Sequence, residues 1–349
     1  IKTKLKKLFF LPLTKEGMKK RFPEKGFSSL FIRSYLREIK KNQQDKNGIR
    51  HNLGWLSTPP DFNAIWSYRY FSDINPNHLG NWSDKKNTVN GTQKLEYENI
   101  HAMIDLYHAN HNSIEGYITS GGTEGNLYAA WVGNTYLQKW NRLNEICLIY
   151  TSLSHYSLRK AGSITNIQRV ITPLSKVTWS MAPDGLIQTI DRMYKQGLRG
   201  FLIPITLGYT NTGTHDDVDA ILKVIKTISR THPDVHFFLW IDAALNGLIE
   251  PFVNKKFSPF HSSLIQAIVV DFHKMGGAPY GAGIILYRNK LRNLIEQPID
   301  YLETTDATIA GSRPGTSAVA IWTAVHTSGK DGFKARVQTQ LKNKQYCIS

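Results

Sequence analysis

Lys274 follows an apolar run, 267–270, that reads as a buried strand, and it precedes the turn-forming Gly276-Gly277-Ala278-Pro279. An ammonium is costly to bury at such a place, and a covalent bond to a carbonyl carbon removes its charge. A surface lysine in a turn is the other reading of the same residues. Thirty-two residues upstream, Asp242 abruptly ends another apolar run, 237–241, and the small Ala243 and Ala244 follow it. A carboxylate there needs a partner. A protonated pyridine nitrogen would serve, and the two alanines would leave room for a flat ring. Gly121, Gly122 and Thr123 lie between an apolar segment and a helical pattern. Bare backbone at a helix start presents N–H donors and the positive end of the dipole, which is a cup for phosphate. No Gly-Lys-Ser/Thr follows, so this is not a Walker loop, nor is it a GxGxxG turn. A glycine N-cap without a ligand remains its other reading. His155, at another helix start, could lie flat against an aromatic ligand or act as a cap.

Together these pieces form a phosphate cup, a stacking histidine, a carboxylate for a ring nitrogen and a lysine for a covalent anchor. Pyridoxal 5'-phosphate requires such a set. The elements that must position it alternate. Strand-like runs fall at 116–119, 146–151, 168–171, 200–206, 237–241, 267–270 and 283–287, and helical patterns fall at 93–111, 123–141, 155–162, 184–196 and 216–231. Such alternation predicts a largely parallel sheet of seven strands covered on both faces. Sites in these sheets lie beyond the carboxyl ends of the strands, and each candidate residue stands there. Asp216-Asp217 open the helix at 216–231, where capping is a sufficient role.

The chain has 349 residues, 41% of them hydrophobic and 11% aromatic, as in globular proteins. No apolar run approaches a membrane span, and no secretory signal is read at residues 1–10. Cys147 and Cys347 fit no metal or redox spacing, so a reducing cytoplasm is expected. The net charge of +16 suggests a nucleic-acid binder until it is located: residues 1–50 carry +11, residues 330–349 carry +4, and the body carries +1. A solvated basic arm accounts for this, without specific nucleic-acid recognition. The arm shows short helical patterns at Leu5, Leu8 and Phe9, then at Leu30, Phe31, Tyr35, Leu36 and Ile39. Residues 51–92 are rich in Asn, Pro, Trp and Gly and read as long ordered loop, with Trp55, Trp66 and Trp82 expected to pack. His101, His108 and His111 read as a surface cluster, and no metal site is expected. The implied organisation is a basic arm with loops over 1–92, an α/β domain over 93–329, and the start of a further C-terminal segment over 330–349.

The stretches TSGGTEGN (119–126), SHYSLRKA (154–161), DDVDAI (216–221), IDAALNG (241–247), FHKMGGAP (272–279) and DATIAGSRPG (306–315) make the chain resemble the pyridoxal-phosphate-dependent group II amino acid decarboxylases. The resemblance covers about residues 75–345 and looks closest to the histidine/serine decarboxylase branch. It implies an α/β fold of the PLP-dependent transferase type (aspartate aminotransferase-like, fold type I), with the small C-terminal domain missing or reduced. It implies decarboxylation of a histidine- or serine-type L-amino acid in a homodimer with shared active sites. A carbon–carbon lyase of the sphingosine-phosphate lyase type and an inactive basic binding relative are the alternatives. By this resemblance Lys274 anchors the cofactor and Asp242 pairs with its ring nitrogen. His155 stacks on one ring face, Ala244 packs on the other, and Gly121, Gly122, Thr123 and His273 hold the phosphate. Tyr301 resembles a catalytic-loop tyrosine, and the loop of Gly311, Ser312 and Arg313 reaches toward the partner. The chain departs from the family pattern at Tyr209, which replaces a small hydroxyl residue near the cofactor, and at Asp271, which gives an Asp-x-His-Lys sequence.

Overall fold

The computed structural model describes residues 27–46, 59–80 and 91–348. The patterns at Leu5, Leu8 and Phe9, and Trp55 and Trp82, lie outside the described residues. The chain divides into two compact units, Ile1–Leu56 and Ser57–Ser349. In the first, the pattern at Leu30, Phe31, Tyr35, Leu36 and Ile39 falls on one helix, α1 (Ser29–Lys46).

The second unit is built on a seven-stranded sheet. Its strands are β2 (Ile114–Thr119), β3 (Ile146–Thr151), β4 (Gln168–Thr172), β5 (Gly200–Thr206), β6 (His236–Asp242), β7 (Ile265–Asp271) and β8 (Gly283–Arg288), in the order β2-β8-β7-β6-β5-β3-β4. Strands β3 and β5 are buried along their whole length, as continuous apolar runs in a parallel sheet should be. The expected strands are all present. Four end one residue later than the expected runs, at Thr172, Asp242, Asp271 and Arg288, and Asp242 is paired with Thr206 on one side and Val269 on the other. The sheet is parallel except at β8, which runs antiparallel to both β7 and β2. A short return loop after β7 permits only that direction. The carboxyl ends of β2, β3, β5, β6 and β7 therefore line one edge, with the start of β8 among them.

Helices α4 (Gly122–Leu137) and α5 (Ser157–Ile164) cover one face. The other face carries α3 (Gly91–Leu106), α6 (Pro183–Lys195) and α7 (Val218–Thr231). Helix α4 lies unusually close to the sheet. A Cβ on its Gly133 would stand 2.5 Å from Leu202 and 2.6 Å from Phe238, so only glycine permits that approach. The final helix, α8, runs Gly315–Ile348 and breaks at Gly329 (φ 57°, ψ 179°). Beyond the break, Phe333 and Val337 are buried. No helix among the described residues is long and apolar enough to cross a membrane.

Three sequence expectations are corrected. Residues 51–92 are not loop throughout: α2 (Phe62–Phe71) forms after Pro59-Pro60, with Asp61 capping it through the Asn63 amide. Trp66 does not pack inside. Phe62, Trp66 and Tyr70 are 79%, 57% and 64% exposed. The i, i+4 spacing puts all three on the solvent side, while Ala64 and Ser67 are buried on the side that meets α8. Asp217 caps α7 through the Ala220 amide, but Asp216 does not share that role. It is buried and accepts from the amides of Met181 and Thr206 and from the Tyr209 hydroxyl.

Arg313 lies in the loop that the resemblance points toward a partner. Its loop forms strand β11 (Ser312–Pro314), which pairs with β1 (Asn77–Leu79) of the same chain. The Arg313 guanidinium is buried against Glu96 of α3 and donates to the Gly80 carbonyl at 3.1 Å. Glu96 also accepts from the Ile118 amide at 2.8 Å and meets His78 at 2.9 Å. Burial alone would raise the Glu96 carboxyl, but Arg313 and His78 outweigh it and hold it near 2. Removing one member of a buried pair strands the other charge. Glu96→Ala should cost about 3–5 kcal/mol in urea unfolding at neutral pH. A depressed carboxyl stabilises the fold above its ordinary value of 4.5 and loses that contribution as pH falls through about 2. Wild-type stability should therefore drop across that window, and the variant's should drop less steeply.

Candidate active site

Asp242 closes β6 with its carboxylate buried. Asn126 Nδ2 donates to Oδ2 at 2.8 Å and the Ala244 amide donates to Oδ1 at 3.3 Å. Both donors are neutral, and burial pushes the carboxyl above its usual range, opposed by Asn126 and by the charge of Lys274. The site thus holds a carboxylate whose ionised form would gain from a nearby cation.

Asn126 projects from the first turns of α4, four residues after Gly122. Its carbonyl oxygen accepts from the Trp240 indole at 2.9 Å, and its amide nitrogen also donates to Ser157 Oγ at 3.0 Å. Indole is a donor only, so it decides which end of the amide faces Asp242. Ser157 accepts from Asn126 and stands 2.8 Å from His155 Nδ1, which also accepts from the Ser157 amide. Nδ1 is then the unprotonated nitrogen. Burial lowers the His155 pKa, against the pull of Asp242, and the ring is neutral. One asparagine therefore ties the carboxylate and the histidine into one directional network.

Lys274 lies three residues past the end of β7, its Nζ 3.0 Å from Asp271 Oδ2. His273 is buried, donates from Nδ1 to the Ala282 carbonyl at 3.0 Å and stacks on Tyr280. Burial lowers its pKa, with Asp271 opposing. The cup lies alongside. Gly121 is the N-cap of α4 at φ 146°, a backbone region that favours glycine, and it offers no capping side chain. A Cβ at Gly121 would stand 2.8 Å from the His273 ring, and one at Gly122 would stand 3.0 Å from the Ala244 Cβ. Gly121, Gly122, Ala244 and His273 are thus in contact, and Thr123 is exposed beside them.

The structure gathers Lys274, Asp242, His155, His273, Ala244, Gly121, Gly122 and Thr123 at one sheet edge. Tyr301 stands apart from their contacts. It is 80% exposed on a single turn, Asp300–Leu302, between β9 (Gln297–Ile299) and β10 (Thr304–Asp306). Tyr209 is buried, its hydroxyl bonded to Thr151 and Asp216. Asn126 and Ser157 were not singled out by the sequence reading. Asn126 shares its helix with the buried Glu124 and Asn134, so no pattern along the chain set it apart. A groove of about 1250 Å³ lined by Met181, Leu207, Asp216 and Ile241 lies elsewhere and includes none of the gathered residues.

These residues fit pyridoxal phosphate. Among the described residues the hydrogen-bond donors to the buried Asp242 carboxylate are neutral, the helix start at Gly121 and Gly122 has no side-chain cap, and the small Ala244 stands at the same sheet edge as His155 and Lys274. Fold and site together define a pyridoxal-phosphate protein of fold type I. A family model described as "Pyridoxal-dependent decarboxylase conserved domain" matches residues 88–349, and the chain belongs to that family. It is 31% identical over 277 residues to a tryptophan decarboxylase of Clostridium sporogenes, covering 77% of this chain and 65% of that protein. It is 28% identical over 301 residues to a histidine decarboxylase of Vibrio anguillarum, covering 85% and 73%. The chain thus spans about two thirds to three quarters of these relatives. The L-methionine decarboxylase structure from Streptomyces sp. 590 superposes with a TM-score of 0.79 at 21% identity, covering 91% of this chain and 78% of that one. At that identity the likeness speaks for the fold.

The Asn126 network is testable by itself. Asn126→Ala leaves the Trp240 indole without its acceptor and Asp242 without a donor. It should cost about 1–3 kcal/mol in chemical unfolding and weaken retention of added pyridoxal phosphate on dialysis. Unchanged stability and retention would mean that the network does not hold the site together.

Proposed function

We propose that this protein decarboxylates an L-amino acid, releasing carbon dioxide and the corresponding amine. The observation that carries the reading is the meeting of Lys274, the buried Asp242 carboxylate and the neutral His155 ring at one sheet edge. Membership in the pyridoxal-dependent decarboxylase family supports it. Bound pyridoxal phosphate supplies a reactive aldehyde and a ring that takes up the electron pair left when carbon dioxide departs.

The chain's own residues prepare that chemistry. Lys274 offers Nζ as the covalent anchor. Asp242 keeps a proton on the ring nitrogen, since an ionised carboxylate held by Asn126 and the Ala244 amide gains most from a cation beside it. His155 presents an uncharged ring face, fixed by Ser157. Gly121, Gly122 and Thr123 offer the start of α4 to the phosphate, with His273 at the rim. Ala244 keeps the opposite wall low enough for a flat ring.

For the substrate, the 28% identity to histidine decarboxylases and the motif resemblance support a histidine- or serine-type amino acid. The 31% identity to a tryptophan decarboxylase puts tryptophan beside them in any panel. The homodimer with shared sites, and a cytoplasmic setting, belong to this same reading.

The test is carbon dioxide release from L-His, L-Ser, L-Trp, L-Met, L-Tyr and L-Glu with added cofactor. At least one should react. Formation of an aldehyde without carbon dioxide would mean a carbon–carbon lyase instead. Lys274→Ala should lose turnover and the visible absorbance of the bound cofactor together, and survival of both would end the assignment.

A further inference from the structure

We propose that Asp271 is the positioning residue of Lys274: its buried carboxylate holds the Nζ ammonium at the cup before cofactor arrives and accepts a proton from it during capture. The inference rests on Lys274 being the cofactor's anchor.

Asp271 ends β7 and is 3% exposed. Its Oδ2 lies 3.0 Å from Lys274 Nζ and 3.5 Å from His273 Nε2, and its Oδ1 has no hydrogen-bond partner among the described residues. Bare backbone walls the carboxyl in. A Cβ on Gly122 would stand 3.1 Å from Oδ2, one on Gly283 would stand 3.1 Å from Oδ1, and one on Gly121 would stand 3.6 Å from Oδ1. No side chain from those three positions can neutralise it. His273 is a poor counter-ion, because its Nδ1 proton is committed to the Ala282 carbonyl. A neutral ring then turns a lone pair, not a proton, toward Asp271. The Lys274 ammonium is left as the matching charge. The other titratable groups around this pair are Asp242 from β6 and His155 ahead of α5.

Capture makes the arrangement consequential. Nζ must release one proton before its lone pair can add to the aldehyde carbon, and the carboxylate 3.0 Å away is the acceptor. The neutral amine then forms the carbon–nitrogen bond. The carbonyl oxygen leaves as water with the two remaining amine hydrogens. Protonating Asp271 also prevents an unpaired buried carboxylate once the ammonium is gone, and it removes a negative charge from beside the phosphate cup.

Cofactor-free protein mixed with pyridoxal phosphate reads this directly, through the growth of visible absorbance followed from about pH 6 to 9. An opposite charge favours the ammonium, so removing it frees the amine at lower pH. In Asp271→Asn the pH of half-maximal capture should fall, so that capture below the wild-type midpoint is faster than in wild type. A merely structural role would slow capture without moving that midpoint. Asp271→Ser, smaller and equally uncharged, should show the same displacement and carries the test if the first variant does not fold. An unmoved or raised midpoint overturns the proposal, as does failure of both variants to fold. Wild-type protein that gains no absorbance, or Lys274→Ala that gains as much, would instead remove the anchor reading itself.

Discussion

A carboxylate that ends a central strand has to be matched, and the match at Asp242 organises everything around it. Strand β6 buries Asp242 between β5 and β7, and a buried carboxylate needs a partner. Asn126 supplies the donor. Its own orientation is dictated by the Trp240 indole, two residues earlier on the same strand. The strand thus carries both the acid and the group that aims the acid's partner. Because the same amide reaches Ser157, the requirement extends to His155, whose tautomer follows from it. Asp242 and His155 are two ends of one hydrogen-bond chain.

The sheet makes such a meeting possible. Parallel strands deliver their carboxyl ends to one edge, so residues over a hundred positions apart in sequence become neighbours. Glycine sets how near the helix layer comes. Gly133 lets α4 lie against Leu202 and Phe238, and Gly121 and Gly122 let its first turn approach His273, Ala244 and Asp271. Side chains at those positions would lift α4 off the sheet, separating Asn126 from Asp242 and the cup from the lysine.

A second buried charge set acts at a distance from this chemistry. Glu96, Arg313 and His78 join α3 to the β1–β11 pair and, through the Ile118 amide, to β2. Arg313 lies in a loop that sequence resemblance pointed toward a partner, yet its guanidinium is spent inside its own chain. Strand β2 leads straight into the cup, so this cluster braces the strand from which Gly121 and Gly122 emerge.

The order of strands and helices was legible from the sequence because burial on both faces leaves continuous apolar runs, and helices between them keep a polar side. Asp242 and Lys274 were legible because each follows an apolar run with a charge that burial would reject without a purpose, and the glycine pair and His155 because they stand at helix starts. The sequence by itself determined which groups stand at the strand ends as candidates for the chemistry. It did not determine who holds them. Asn126 looks like any polar residue on a helix, Asp271 like a departure from a motif, and Tyr209 like a neighbour of the cofactor. Their parts depend on contacts across strands and helices: Asn126 with Trp240, Asp271 with Lys274 inside a wall of glycine, Tyr209 with Thr151 and Asp216. Tertiary structure alone decided these, because hydrogen-bond partners and the charge left unmatched in a buried space are set by distance in three dimensions and leave no period or spacing along the chain.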